Sequence, residues 1–280
     1  SIAPGITGLL GPNGAGKSTF MKLITGQIKP SRGSVKVLGE PVWNNHELTR
    51  RVGFCPEQDA FYTGMTGLRW VAGLVALNGY SREETEHRAM KALESVSLLD
   101  AKDKKIGAYS KGMRQRVKLA QAIAHDPELL ILDEPLGGMD PTGRRQTIQM
   151  IKSWAAAGRS IVVSSHILHE IESMTSTILL VNHGRIVAEG NVHEIRELIE
   201  DHPHRIFIQC DEPRRLAASL VGWDVVAGMR LDEMGVEVQT SHPDAFFTRL
   251  PDVILSQEIK VTRLLSPDDN LQAVFDYLVK

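Results

Sequence analysis

The sequence predicts an α/β fold: a mostly parallel sheet, a helical insertion, and a smaller α+β unit behind them. Three observations predict it. Short aliphatic and β-branched runs alternate with helical stretches, as in a parallel sheet covered on both faces. Gly11-Pro12-Asn13-Gly14-Ala15-Gly16-Lys17-Ser18-Thr19 fits G-x-x-x-x-G-K-[ST] between a strand and a helix. From about residue 59 to 126 the strand pattern gives way to helix.

Composition sets the bounds. A chain of 280 residues holds one large domain or two smaller ones. The net charge of −2 gives no polybasic signature for nucleic acid or anionic lipid. Cys55 and Cys210 lie far apart, which suggests reduced thiols in a cytosolic setting, each a small buried side chain. The longest apolar run, near 71–77, is far too short to cross a bilayer.

The elements follow in order. Ile6-Thr7-Gly8-Leu9-Leu10 reads as a buried strand, and 19–25 as a helix. Residues 34–37 alternate like a half-exposed strand, which Gly39 and Pro41 should break. A short helix over 45–51 leads to a second buried strand at 52–54. Residues 67–78 form a helix. Ser81 and Glu84 spell a capping box for the next, whose stripe is Met90, Leu93 and Val96. The 102–105 charge cluster reads as a solvated loop. A helix over 114–125 carries Val117, Ala120 and Ala124 on one face. Leu129-Leu130-Ile131-Leu132 is a strand buried on both faces. Asp140 caps a helix that Pro141 opens and Gly158 closes.

Residues 161–164 form another buried strand, 167–174 a helix and 178–181 a strand. Asn182-His183-Gly184 turns that strand into a hairpin reaching 189. A helix over 191–199 and a linker at 201–204 precede strand, helix, strand, strand, helix and strand at 205–210, 213–220, 224–229, 235–240, 243–249 and 253–262. That βαββαβ order suits a small ferredoxin-like unit over 205–280. Ser266 is expected to cap a last helix.

The glycine-rich loop has a definite chemistry. Glycines at 11, 14 and 16 let the backbone curl and point N–H groups inward, and the following helix adds its positive end. Lys17 supplies a charge for β- and γ-phosphates, Ser18 a hydroxyl for Mg²⁺, and Thr19 a further phosphate contact. The ordinary alternative is a glycine-rich turn; the bare pattern arises by chance in roughly one chain in a hundred of this length. The flanking strand and helix lower that figure. The strand at 129–132 ends in Asp133, where a metal partner sits in such folds, and Glu134, which can polarise a water. His166 follows the 161–164 strand, a sheet neighbour, and should emerge on the same edge as Lys17 and Asp133.

Together these motifs resemble the nucleotide-binding subunit of an ATP-binding cassette (ABC) transporter. Gly11 to Thr19 is similar to its Walker A loop and Leu129 to Glu134 to Walker B with a catalytic glutamate. Asp140 matches the acidic residue of the loop after Walker B, and His166 the switch histidine. Tyr109-Ser110-Lys111-Gly112-Met113-Arg114-Gln115-Arg116 resembles the family signature. The resemblance implies a P-loop NTPase (RecA-like) domain over 1–200 and ATP with Mg²⁺. Asn13, Gly14, Ala15, Gly16, Lys17, Ser18, Thr19, Ser110, Gly112 and Asp140 would bind nucleotide. Ser18, Asp133 and Glu57 or Gln58 would meet the metal; Glu134, His166 and Lys17 would be catalytic.

It further implies a head-to-tail homodimer, or a pair with a similar subunit. Ser110 and Gly112 of one copy would then meet the γ-phosphate held by the other. Membrane permease subunits would be its partners at the cytoplasmic face of the membrane, with no nucleic acid.

Three departures from the family pattern qualify this. Lys111 and Met113 stand where the family usually has Gly and Gln, a form that resembles a branch of exporter subunits with a C-terminal extension. Phe54-Cys55-Pro56-Glu57-Gln58 puts Glu57 at the usual glutamine position, with Gln58 next. The chain starts at Ser1 almost on its first strand, so a trimmed chain without the family's upstream adenine-stacking aromatic is expected. Soluble cassette ATPases of translation or DNA repair are the alternative. Their second cassette or long coiled coil has no counterpart in these residues, and the Asn-Lys-x-Asp of GTPases is absent.

Overall fold

The computed structural model describes residues 4–197, 203–267 and 270–279. The chain divides into two compact units, one up to Glu189 and one from Gly190. This division falls ahead of the 201–204 segment expected as linker, of which 201 and 202 lie outside the described residues.

The first unit opens with β1 (Gly5–Leu10) and α1 (Lys17–Ile24). Next come β2 (Lys36–Val37) and β3 (Glu40–Pro41), a small hairpin. Pro41 therefore belongs to a strand rather than ending one. Leu38 (φ 50°) and Gly39 (φ 82°) both take the left-handed conformation that a tight two-residue turn requires. In α2 (His46–Thr49) the Asn45 side chain caps by accepting from Leu48 N–H.

β4 (Val52–Cys55) leads into the helical insertion of α3 (Gly67–Ala76), α4 (Arg82–Ser95) and α5 (Lys111–Ile123). The charged loop before α5 also serves the backbone of α3. Gly67 and Leu68 N–H donate to Lys104 O and Lys102 O, so the loop satisfies the first turn of that helix. Only half of the expected capping box forms. Ser81 Oγ accepts from Glu84 N–H at 3.2 Å, but the Glu84 carboxylate turns to Arg88 at 2.7 Å. The buried stripe of α4 is Thr85, Ala89, Ala92 and Leu93, with Met90 half-buried. The helix expected from 114 begins a turn earlier, at Lys111, with Ser110 as its cap.

β5 (Leu129–Asp133), α6 (Pro141–Ala156), β6 (Ser160–Ser164), α7 (Leu168–Glu172), β7 (Thr177–Asn182) and β8 (Arg185–Asn191) complete the unit's layers. The sheet order is β4-β5-β6-β1-β7-β8, and the first five run parallel. Leu130, Ile131, Leu132, Ile161, Val162 and Val163 are wholly buried, as a sheet covered on both faces demands. One face packs Leu9, Ile131, Val162 and Leu179 with Met21 and Ile24 of α1 and Leu48 of α2. Burial pushes the Cys55 thiol up to about 12, so this cysteine is an inert core side chain. His125 Nε2–H donates to Val52 O at 3.1 Å, and burial holds its pKa below the ordinary histidine value.

Where α5 crosses β4 the approach is close. A Cβ on Gly53 would lie 2.0 Å from Ala122 O and 2.8 Å from Leu130 Cδ2. Gly53→Ala is therefore expected to destabilise the chain by about 1–3 kcal/mol in urea unfolding.

The second unit contains α8 (Val192–Glu197), β9 (His204–Cys210), α9 (Pro213–Leu220), β10 (Gly228–Leu231), β11 (Gly235–Thr240), α10 (Pro243–Ser256), β12 (Val261–Leu265) and α11 (Leu271–Val279). Its strands form an antiparallel sheet in the order β10-β11-β9-β12. Three expectations are corrected. β10 starts at Gly228 rather than 224, with Val225 buried as part of a turn. The helix from 243 passes through Pro251 to Ser256, because Val253 and Ile254 on its last turn pack on the same core as Phe246 and Leu250. Asn270, not Ser266, caps α11, accepting from Ala273 N–H at 2.9 Å.

Candidate active site

Between β1 and α1 the chain turns through residues 11–16. Gly11 (φ 154°) passes so close to β7 that a Cβ would lie 2.2 Å from Val181 O. Gly14 and Gly16 are left-handed at φ 79° and 105°, and Gly16 caps α1 with no side chain to occupy its first-turn N–H groups. The β7–β8 turn props this loop: Gly184 N–H donates to Ala15 O at 2.8 Å. Lys17 Nζ donates to Gly11 O at 2.7 Å and Pro12 O at 3.1 Å, which holds the ammonium over the loop.

Parallel pairing sets Asp133 at the end of β5 opposite Ser164 at the end of β6. The fully buried Ser164 hydroxyl donates to Asp133 Oδ1 at 2.7 Å and accepts from Glu134 N–H at 3.1 Å. Gln115, also buried, donates to Glu134 O at 3.2 Å. These side chains pin a strained residue, since Glu134 has φ 48°, a conformation costly for anything but glycine. His166 Nδ1 lies 2.9 Å from Glu134 Oε2. Burial holds the Glu134 carboxyl above the usual carboxylate range, and the His166 contact pulls it back only in part. A carboxylate so raised is a better proton acceptor for water.

Asn13, Gly14, Ala15, Gly16, Lys17, Ser18, Thr19, Glu57, Asp133, Glu134 and His166 line one cavity of about 460 Å³. Of the adjacent acidic and amide pair, both exposed, Glu57 lines it and Gln58 does not. Three expected nucleotide contacts stand apart from this cavity. Ser110 caps α5, its Oγ accepting from Met113 N–H at 3.2 Å, and Gly112 follows in the first turn with open space beside it. Asp140 Oδ1 accepts from Gly143 N–H at 2.7 Å, capping α6. Sequence reasoning missed Ser164 and Gln115; the one available signal was a polar residue ending a buried strand opposite Asp133.

The donor set suits Mg²⁺. Ser18, Asp133 and Glu57 present hard oxygen atoms to one cavity. Among the described residues no three His, Cys, Asp or Glu groups cluster as a complete metal cage.

Residues 3–137 match the ABC transporter family profile. The chain is 30% identical to the daunorubicin/doxorubicin resistance ATP-binding protein DrrA of Streptomyces peucetius over 88% of this chain and 73% of that protein. It belongs to the ABC transporter ATP-binding proteins. Another member of this family, an uncharacterised ABC transporter ATP-binding protein of Nostoc sp., is 42% identical over 67% of this chain and 56% of its own length. The chain thus spans little more than half of that relative. A solved ATP-binding subunit of an ABC transporter superposes with a TM-score of 0.63 at 30% identity, covering 70% of this chain and 82% of that one. The parallel sheet and helical insertion are therefore those of an ABC ATPase. No described helix is long and apolar enough to cross a membrane.

Proposed function

We propose that this chain is the ATP-hydrolysing subunit of an ABC exporter, working as a pair beneath a separate membrane permease. The observation that carries the reading is the single cavity where Lys17 and the loop amides meet Asp133, Glu134 and His166. The loop N–H groups and Lys17 bind the phosphates and neutralise their charge. Ser18, Asp133 and Glu57 would hold Mg²⁺, which when bound would supply charge stabilisation to the phosphates. Glu134 takes the proton of a water whose oxygen attacks the γ-phosphorus. The bond from that phosphorus to the β–γ bridging oxygen breaks, and ADP leaves with the electron pair. His166 orients the Glu134 carboxylate and reads the γ-phosphate.

Ser110 and Gly112 lie at the N-terminus of α5, an anion-binding end, yet outside their own chain's cavity. A second copy turned head to tail brings them to the γ-phosphate and makes the nucleotide the joint between two subunits. Hydrolysis removes that joint, and a permease converts the change into movement. The exporter assignment rests on the signature's form and on the C-terminal unit; DrrA carries a resistance function by name.

Ser110→Arg is expected to abolish most turnover while the monomer's ATP affinity, by calorimetry, stays within about twofold. Equal loss of both would place the serine in its own chain's site and end the head-to-tail reading.

A further inference from the structure

Lys118 is a charged side chain only 2% exposed, on a helix whose other buried residues include Val117, Leu119 and Ala120. A buried ammonium needs partners, and it has two. Its Nζ donates to Glu57 O at 2.6 Å and pairs with Asp59 Oδ1 at 3.3 Å. Arg114, one turn back, takes the other oxygen: its Nε lies 2.9 Å from Asp59 Oδ2. Arg114 also donates to Tyr109 O at 2.8 Å, just before the Ser110 cap.

The same helix thus grips the 57–59 loop through Lys118 and Arg114, and Glu134 O through Gln115. Glu57 and Glu134 both line the phosphate-loop cavity. Replacing both members of a buried ion pair by well-packed apolar residues is often neutral or stabilising. Stability alone therefore gives weak reason for this lysine.

We infer that Lys118, through Asp59 and the Glu57 carbonyl, is a positioning residue that holds Glu57 at the active-site cavity and ties it to the helix capped by Ser110. Its effect on turnover rests on the function proposed above; its grip on the loop does not.

The test is Lys118→Met beside Lys118→Arg in the full chain. In the methionine variant kcat is expected to fall about tenfold or more, the cost of a small misplacement, with KM within about twofold. Tm changes by only a few degrees, because Asp59 is 43% exposed and keeps Arg114 as its partner. Cleavage after Glu57 by a glutamate-specific protease, identified by fragment mass, accelerates about tenfold because the loop opens more often. Arginine restores both readouts. Should the methionine variant fail to fold, Asp59→Asn, at a position 43% exposed, is expected to show the same split.

Unchanged cleavage after Glu57 overturns the inference, as does a kcat loss that follows Tm without rescue by arginine. If the wild-type chain hydrolyses no ATP, the functional proposal fails instead, and the cleavage rates alone decide the clamp.

Discussion

Replacing Glu134 with Gln is expected to slow ATP turnover by about 10²–10⁴-fold while nucleotide binding persists, so that closed dimers accumulate. The carboxylate sits beside the cavity, 2.9 Å from His166, with its backbone pinned by Ser164 and Gln115. The amide keeps that shape and removes only the proton acceptor. Single-turnover hydrolysis and gel filtration in ATP would read both consequences; wild-type turnover in the variant would exclude the role.

A second consequence follows from the direction of the pKa. Burial makes the folded chain hold the Glu134 proton more tightly than the unfolded chain does. Between the ordinary value of 4.5 and the raised one, the folded state is protonated and the unfolded state is not. Stability is lost as pH rises through that window. Glu134→Gln should therefore raise the nucleotide-free Tm at pH 7, with the gain vanishing below about pH 4.5.

Lys17→Ala carries the other large effect. The ammonium is held over the loop by two backbone carbonyls, close to where phosphate oxygens would lie. Losing a charge-assisted bond of about 1.5–3 kcal/mol weakens ATP binding by roughly 10- to 150-fold. Calorimetry with ATP measures it directly. The loop itself should keep its form, since Gly184 N–H still supports Ala15 O. Unchanged affinity would move the phosphates elsewhere.

Much of this was legible because the decisive signals are local. Four consecutive aliphatics before Asp133 read as a doubly covered strand, and the glycines of the 11–16 turn sit where φ is positive. Asp140, Pro141 and Gly158 marked both ends of α6 as read. Tertiary contacts hid the rest. Glu84 abandons the capping box because Arg88, one turn on, offers an opposite charge. The helix read as ending at 249 runs on to Ser256, because core packing of Val253 and Ile254 carries α10 past Pro251. Asp59 and Lys118 are far apart in sequence, and no local pattern links them. Ser164 reads as an ordinary strand serine until the parallel register sets it opposite Asp133.

Among the described strands of the parallel sheet, β1 leaves the ribosome first. Its partners are β6 and β7, with Ile6 opposite Ile161 and Leu10 opposite Leu180. A nascent chain that has reached only about residue 150 therefore carries a complete phosphate-loop sequence with no neighbouring strand to brace it. Such a chain exposes the apolar edges of β1 until β7 emerges, so a prematurely ended copy is expected to aggregate or be degraded rather than act as a weaker ATPase.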